Sequence, residues 1–140
     1  MSQPAGLAST PPPLLGERTL MRITVSGDDR YEGRATSLAI VDLLRTRGFA
    51  GATVLHGIMG FGARGTVHSE LNEITSQGLP VVIETVETEA RIAQVLPTLD
   101  RMIRGGVITL ERAAVRLHRA SAIREGQGSP EASPGSATAT

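Results

Sequence analysis

Polar and apolar residues alternate from Thr19 to Ser26, with Met21, Ile23 and Val25 on one side and Leu20, Arg22 and Thr24 on the other. That two-residue period belongs to a strand. Gly27, Asp28 and Asp29 end it, and either aspartate suits the cap of a following helix. From about Tyr31 to Arg47 the period lengthens. Tyr31, Ala35, Leu38, Val41 and Leu44 recur every three or four residues as the apolar stripe of a helix, with Arg34, Asp42, Arg45 and Arg47 off it. Gly48 is placed for a left-handed C-terminal cap. Alternation returns at Gly51, where Ala52, Val54 and Ile58 fall on one face together with His56, and Thr53 and Leu55 on the other. Ala63 to Gln77 is mostly polar and predicts a long loop, with room for a helical turn over Ser69 to Ile74. Leu79 to Val86 (LPVVIETV) is nearly all apolar and predicts a central strand buried on both faces, with Pro80 confined to its start. Thr88 caps a second helix over about Glu89 to Arg104, with the stripe Ile92, Val95, Leu96, Leu99, Met102 and Ile103. Pro97 predicts a kink or restart within it. Gly105 and Gly106 stop the helix, and a strand starts at Val107. Residues 110–119 fit a strand or a helix; the alternation of Val115 and Leu117 with Arg116 and His118 favours the strand.

The resulting order is strand, helix, strand, loop, strand, helix, strand. Two split βαβ units of this kind fold into an α+β, ferredoxin-like βαββαβ sandwich: a four-stranded antiparallel sheet with both helices on one face. The other face then needs a cover, and oligomerisation is the natural one for strands this apolar. Six of the eight prolines lie at the two ends of the chain, in segments rich in Ala, Ser and Thr. Residues 1–16 and 121–140 are therefore expected to be disordered tails around one domain over residues 17–120.

Composition narrows the chemistry. Hydrophobic residues make up 40% of the 140 and aromatics only 2%, so the core is built from Val, Ile, Leu and Ala. The formal net charge is zero, which argues against a nucleic-acid partner. All 14 basic residues are arginine, so there is no lysine nucleophile or phosphate-loop lysine, and the lack of cysteine removes thiolate and zinc–sulfur chemistry. No apolar run approaches the roughly 18 residues of a membrane helix. The first residues lack a basic segment followed by an apolar core, so the cytoplasm is the expected location. His56, His68 and His118 show no spacing typical of metal ligands. Glu84 and Glu87 are three apart and so face opposite sides of a strand, which leaves no joint acid–base role; Glu84 is instead expected to meet an arginine across a subunit boundary.

The densest motif is GATVLHGIMGFGARG, residues 51–65, where a strand runs into Gly57, Gly60, Gly62 and Gly65 with Arg64 among them. Backbone N–H groups in such a loop can cradle an anion; the plainer reading is a bulged strand entering a flexible loop. The motif resembles the strand-to-loop segment of the PII signalling proteins, roughly G-M-T-V-x-x-V-x-G-F-G-R-Q, at Gly51, Thr53, Val54, Gly60, Phe61 and Gly62. With LPVVIETV and the glycine-then-VITLE close, residues 17–120 look closer still to an uncharacterised PII-like family, the domain of unknown function numbered one-ninety.

The resemblance implies a homotrimer with its sheets facing inward, an adenine nucleotide (AMP, ADP or ATP) in clefts between subunits, and a loop over residues 63–77 that reaches a transporter or enzyme target. It implies ligand contacts at Thr53, Gly60, Gly62, Gly105, Gly106 and Arg116, with VRLHR matching the PII segment V-R-I-R-T. His118 stands where that segment has its second arginine, and Arg64 where PII proteins carry a glutamine that helps hold magnesium and 2-oxoglutarate. The PII phosphate loop is shortened here to Gly105 and Gly106 and lacks its lysine, which favours fewer phosphates; the loop tyrosine used for uridylylation has no counterpart. The leading expectation is a regulatory nucleotide sensor without catalytic residues or a bound metal. The alternatives are an enzyme acting on nucleotides or phosphates in the same cleft, and a ligand-independent structural trimer partnering a transporter.

Overall fold

The computed structural model describes residues 13–65, 67–69 and 78–120; residues 1–12, the whole of 121–140 and most of the 63–77 loop lie outside them. In chain order the elements are β1 (Gly16–Ser26), β2 (Arg30–Tyr31), β3 (Arg34–Ala35), α1 (Thr36–Thr46), β4 (Thr53–His56), β5 (Met59–Gly60), β6 (His68–Ser69), β7 (Pro80–Glu87), α2 (Glu89–Met102) and β8 (Val107–Val115). Strands β4, β7, β1 and β8 lie side by side in that order as one antiparallel sheet. With both helices packed on one face, this is the ferredoxin-like sandwich.

Register decides which residues form the core. Ile23 pairs with Ile83 on β7 and Ile108 on β8, and Val25 pairs with Val81, which sets one row of branched side chains under the helices. Met21, Ile23, Val25, Val81 and Ile83 meet Ile40 and Leu44 of α1 and Ile92, Val95 and Leu99 of α2. Each such side chain contributes about 1.5–3 kcal/mol when fully buried. Strand β7 is central but not buried on both faces. Its odd-numbered residues are buried and its even-numbered ones only half-buried, because no element among the described residues covers the second face of the sheet.

The segment read as the first turn of helix one is a hairpin. Arg30 pairs with Ala35 and Tyr31 with Arg34 around Glu32 and Gly33, whose φ values of 48° and 79° suit a tight two-residue turn. Helix α1 therefore begins at Thr36, and neither aspartate caps it by a side chain. Asp29 instead accepts from the Ser26 amide through its side chain and from the Thr36 amide through its backbone carbonyl. The later start turns the helix: Thr36, Ala39, Ile40 and Leu44 face inward, while Leu38, expected in the stripe, is 58% exposed. Its end is as expected. The amides of Gly48 and Phe49 donate to the carbonyls of Arg45 and Leu44, closing a Schellman motif.

Helix α2 starts as its sequence predicts, with the Thr88 hydroxyl accepting from the Arg91 amide, and its buried residues are Ile92, Val95, Leu99 and Met102. It runs without interruption through Pro97. The carbonyl that loses its N–H donor to Pro97 belongs to Ala93, and both residues are exposed, on the side of the helix away from the core. Strand β8 resolves the ambiguity at residues 110–119: it is a strand to Val115, and residues 116–120 follow without regular structure. No helix among the described residues is long and apolar enough to cross a membrane.

Candidate functional site

Strand β4 leaves the sheet at His56 and is pinned there by one proline. The Gly57 amide donates to the Pro80 carbonyl at 2.7 Å, and a Cβ at Gly57 would lie 2.5 Å from Pro80 Cγ. Gly57 is therefore required for the close approach of two backbones. Gly60 packs on the same ring, since a Cβ there would lie 3.0 Å from Cγ. Met59 and Gly60 then pair with Ser69 and His68, so part of the expected loop is a second hairpin. At its tip the Gly65 amide donates to the Gly62 carbonyl at 2.9 Å, closing a turn that presents Arg64 to solvent. No described residue lies within 4 Å of a Cβ placed at Gly62. The helical turn expected over Ser69 to Ile74 does not begin as one, because Ser69 is in β6; residues 70–77 lie outside the described residues.

Gly105 and Gly106 reach the same end of the sheet from α2. A Cβ at Gly106 would lie 2.3 Å from the Thr24 carbonyl, and its φ of 150° is one that side chains disfavour. Packing against β1 is thus sufficient reason for Gly106, whereas no described residue lies within 4 Å of a Cβ at Gly105. With Arg104, Asp100, Leu99, Ile103, Val107 and Ile108 the two glycines line a shallow cavity of about 200 Å³.

Arg116 and His118 lie at the opposite end. Strand β8 runs from Val107 to Val115, nine residues, before either is reached. At the rise of an extended strand this places Arg116 more than about 26 Å from Gly106. His118 is half-buried, and its Nδ1 accepts from the Leu14 amide at 2.9 Å. Thr53 lies between the two ends, opposite Glu84 on the uncovered face of the sheet. One protomer therefore brings Gly60, Gly62 and Arg64 to the same end as Gly105 and Gly106, and separates all of them from Arg116 and His118.

Between the ends, the uncovered face carries an ion-pair cluster. Arg22 Nε donates to Glu84 Oε1 at 2.8 Å and Nη1 to Glu111 Oε1 at 3.2 Å. The hydrogen bond to Glu84, first, and that carboxylate's charge raise the Arg22 pKa above its ordinary value. The partner of Glu84 is thus an arginine of the same chain. Leu20, Leu55, Val82, Val86 and Val107 stand on the same face, and Leu55 and Val107 are 49% and 53% exposed. Glu87 points the other way, into the core, and its two oxygens accept from the Ala50 and Thr88 amides. His56 is exposed on the edge strand β4. Among the described residues no three His, Asp or Glu side chains gather to hold a metal ion. The role of Leu14 had no signal in the sequence, because its contribution is a backbone amide inside a segment that composition assigns to a tail.

The arrangement of strands, helices and glycine loops can be set against known proteins. Residues 18–115 match the model of DUF190, a family described as Uncharacterized ACR. The chain belongs to the DUF190 family. Relatives include the UPF0166 protein MJ1524 of Methanocaldococcus jannaschii, 36% identical over 61% of this chain and 78% of that protein. A UPF0166 protein of Aquifex aeolicus is 36% identical over 71% of this chain and 97% of its own length. Among solved structures, CPII of Thiomonas intermedia K12, a nitrogen regulatory PII-like protein bound to ADP, AMP and bicarbonate, superposes with a TM-score of 0.54. It shares 17% identity over 71% of this chain and 94% of its own. A second CPII structure, with ADP and bicarbonate, gives 0.52 at 18% identity, over 71% of this chain and 88% of its own. At that identity the likeness concerns the fold: this DUF190 chain has the PII-like form of the sandwich.

Proposed function

We propose that this DUF190 protein is a PII-like regulatory protein that binds an adenine nucleotide in clefts between copies of itself and acts on a partner through residues 63–77. The observation that carries the reading is the separation of the two half-sites. Glycine loops with Arg64 stand at one end of the sheet, and Arg116 with His118 at the other, too far apart for one nucleotide to touch both in a single protomer. A second copy bringing its Arg116 end to the first copy's glycine end completes a site, and ring closure by that contact gives a homotrimer. The uncovered sheet face, with its apolar rim and Arg22 cluster, is then the inner surface of the ring. Guanidinium pairs with phosphate oxygens bidentately, which gives Arg116 and Arg64 their roles. The ligands of CPII make AMP and ADP the first candidates here.

Nucleotide-stripped protein is to be tested against AMP, ADP, ATP, cyclic AMP and 2-oxoglutarate by thermal shift, with the mass in solution measured in parallel. A ligand at a hundred times its dissociation constant stabilises the native state by about 2.7 kcal/mol. The expected result is a trimer stabilised by adenine nucleotides alone. Arg116→Ala should weaken that binding roughly ten- to a hundredfold, as the loss of a charge-assisted hydrogen bond does, with the trimer intact. A monomer, or a trimer that no nucleotide stabilises, overturns the reading.

A further inference from the structure

The contact between Leu14 and His118 joins the segment before β1 to the segment after β8. These run antiparallel, and the last ladder pair is Gly16 with Val115. Beyond it the Leu14 amide turns to the imidazole of His118, donating to Nδ1 at 2.9 Å. Leu14 is 9% exposed and Leu15 is 51% exposed, so the first side chain anchors this short strap. Pro13, next in line, has no N–H with which to continue the ladder. A nitrogen that accepts an N–H bond carries no proton, so the neutral ring must hold its proton on Nε2, on the opposite side.

We propose that the backbone of the strap, Pro13–Leu15, fixes His118 as a neutral donor whose Nε2–H binds a phosphoryl oxygen of the ligand, two residues beyond Arg116. This rests on the nucleotide-binding reading and adds to it a positioning group, the Leu14 amide, that acts through His118. It also gives the two side chains different parts. Arg116 supplies charge, and His118 supplies a directed N–H whose orientation the strap holds, much as the outer hydrogen bond of a metal-bound histidine fixes its tautomer.

The first test needs no ligand. In uniformly ¹⁵N-labelled full-length protein, a through-hydrogen-bond coupling is expected between the Leu14 amide nitrogen and Nδ1 of His118, with the His118 proton on Nε2. His118→Gln assigns the signal, and Leu14→Pro, which removes the N–H, should abolish it. A proton on Nδ1, or no coupling in the wild-type chain, overturns the proposal. The second test is calorimetric, with ADP as the probe. Leu14→Pro should weaken ADP binding about three- to tenfold, the usual effect of one neutral hydrogen bond. In a His118→Gln background, where no Nδ1 remains to accept, Leu14→Pro should cause no further loss. Equal losses in the two backgrounds would mean that the strap acts only by packing, and would overturn the positioning role. Failure of the wild-type chain to bind ADP, AMP or ATP would instead remove the nucleotide reading and the ligand half of the proposal with it; the coupling experiment would still decide the strap.

Discussion

Glu87 is a carboxylate on the core side of β7, 2% exposed, and both of its oxygens are taken by backbone amides. It ties the linker before β4 to the start of α2. Glu87→Gln replaces one acceptor by an NH₂ facing another N–H donor, and an unsatisfied buried group costs about 1–3 kcal/mol. The expected outcome is a lower denaturant midpoint with an unchanged slope. Gly106→Ala should also destabilise, because its Cβ would lie 2.3 Å from the Thr24 carbonyl at a φ of 150°. Strain of this kind costs about 1–3 kcal/mol, seen as a fall in melting temperature. At this scale the sequence was legible in kind rather than in cause. The spacing of Glu84 and Glu87 placed them on opposite faces, as the ladder has them, but partners that are backbone amides carry no sequence signal. Gly60 and Gly106 are candidate ligand glycines, yet Pro80 and Thr24 account for them by packing, which leaves Gly62 and Gly105, of the four candidates, with no described atom near a Cβ.

Among the elements, the alternation in β1, the apolar run LPVVIETV, the α2 stripe and the glycines before Val107 were sufficient to place β1, β7, α2 and β8 within a few residues; β1, β7 and α2 each bury one face, whereas β8 has no fully buried residue. Helix α1 was harder. An apolar tyrosine and alanine at helical spacing extended the stripe backwards over the hairpin, where Gly33 enforces a turn. Two measurements belong here. Pro97→Ala restores an N–H to an unbroken exposed stretch of α2 and should stabilise the protein by up to about 3 kcal/mol, checked by thermal melting. Asp42 of α1 bonds Arg34 of β3 at 2.6 Å and lies near Arg45 at 3.5 Å. The hydrogen bond from Arg34 comes first among the causes that hold the Asp42 carboxyl below its ordinary value, with the Arg34 charge next. A depressed carboxyl contributes stability that is present above its unfolded pKa and lost as pH falls through the folded one. NMR titration should therefore find Asp42 protonating below the usual aspartate range, and Arg34→Ala should move it back up.

For the whole molecule, the sequence gives no view of the distance between half-sites; that comes only from laying β8 along the sheet. Motifs adjacent in a family pattern can sit at opposite ends of one protomer, as Gly106 and Arg116 do here. A consequence distinguishes a shared site from one within a protomer. One variant carries Arg116→Ala, damaging the far end. A second carries Gly62→Trp, filling the space beside the glycine loop, which no described residue occupies. Each alone should lose nucleotide binding. If the two are mixed in equal amounts, dissociated and reassembled, a cleft formed by the intact glycine end of one variant and the intact arginine end of the other regains function. Random assembly of a ring predicts recovery of about a quarter of the sites. A site contained in one chain would recover nothing, since every chain in the mixture carries one lesion. The proposed ring would also cover the sheet face around Arg22, Glu84 and Glu111 that the described residues leave open. If the surface that completes the ligand site also removes Leu20, Val82 and Val86 from water, subunit assembly and nucleotide binding should strengthen one another. Dilution of ligand-free protein should therefore dissociate the ring at a higher concentration than dilution in saturating ADP, and an identical midpoint in the two titrations would place the nucleotide away from the subunit boundary.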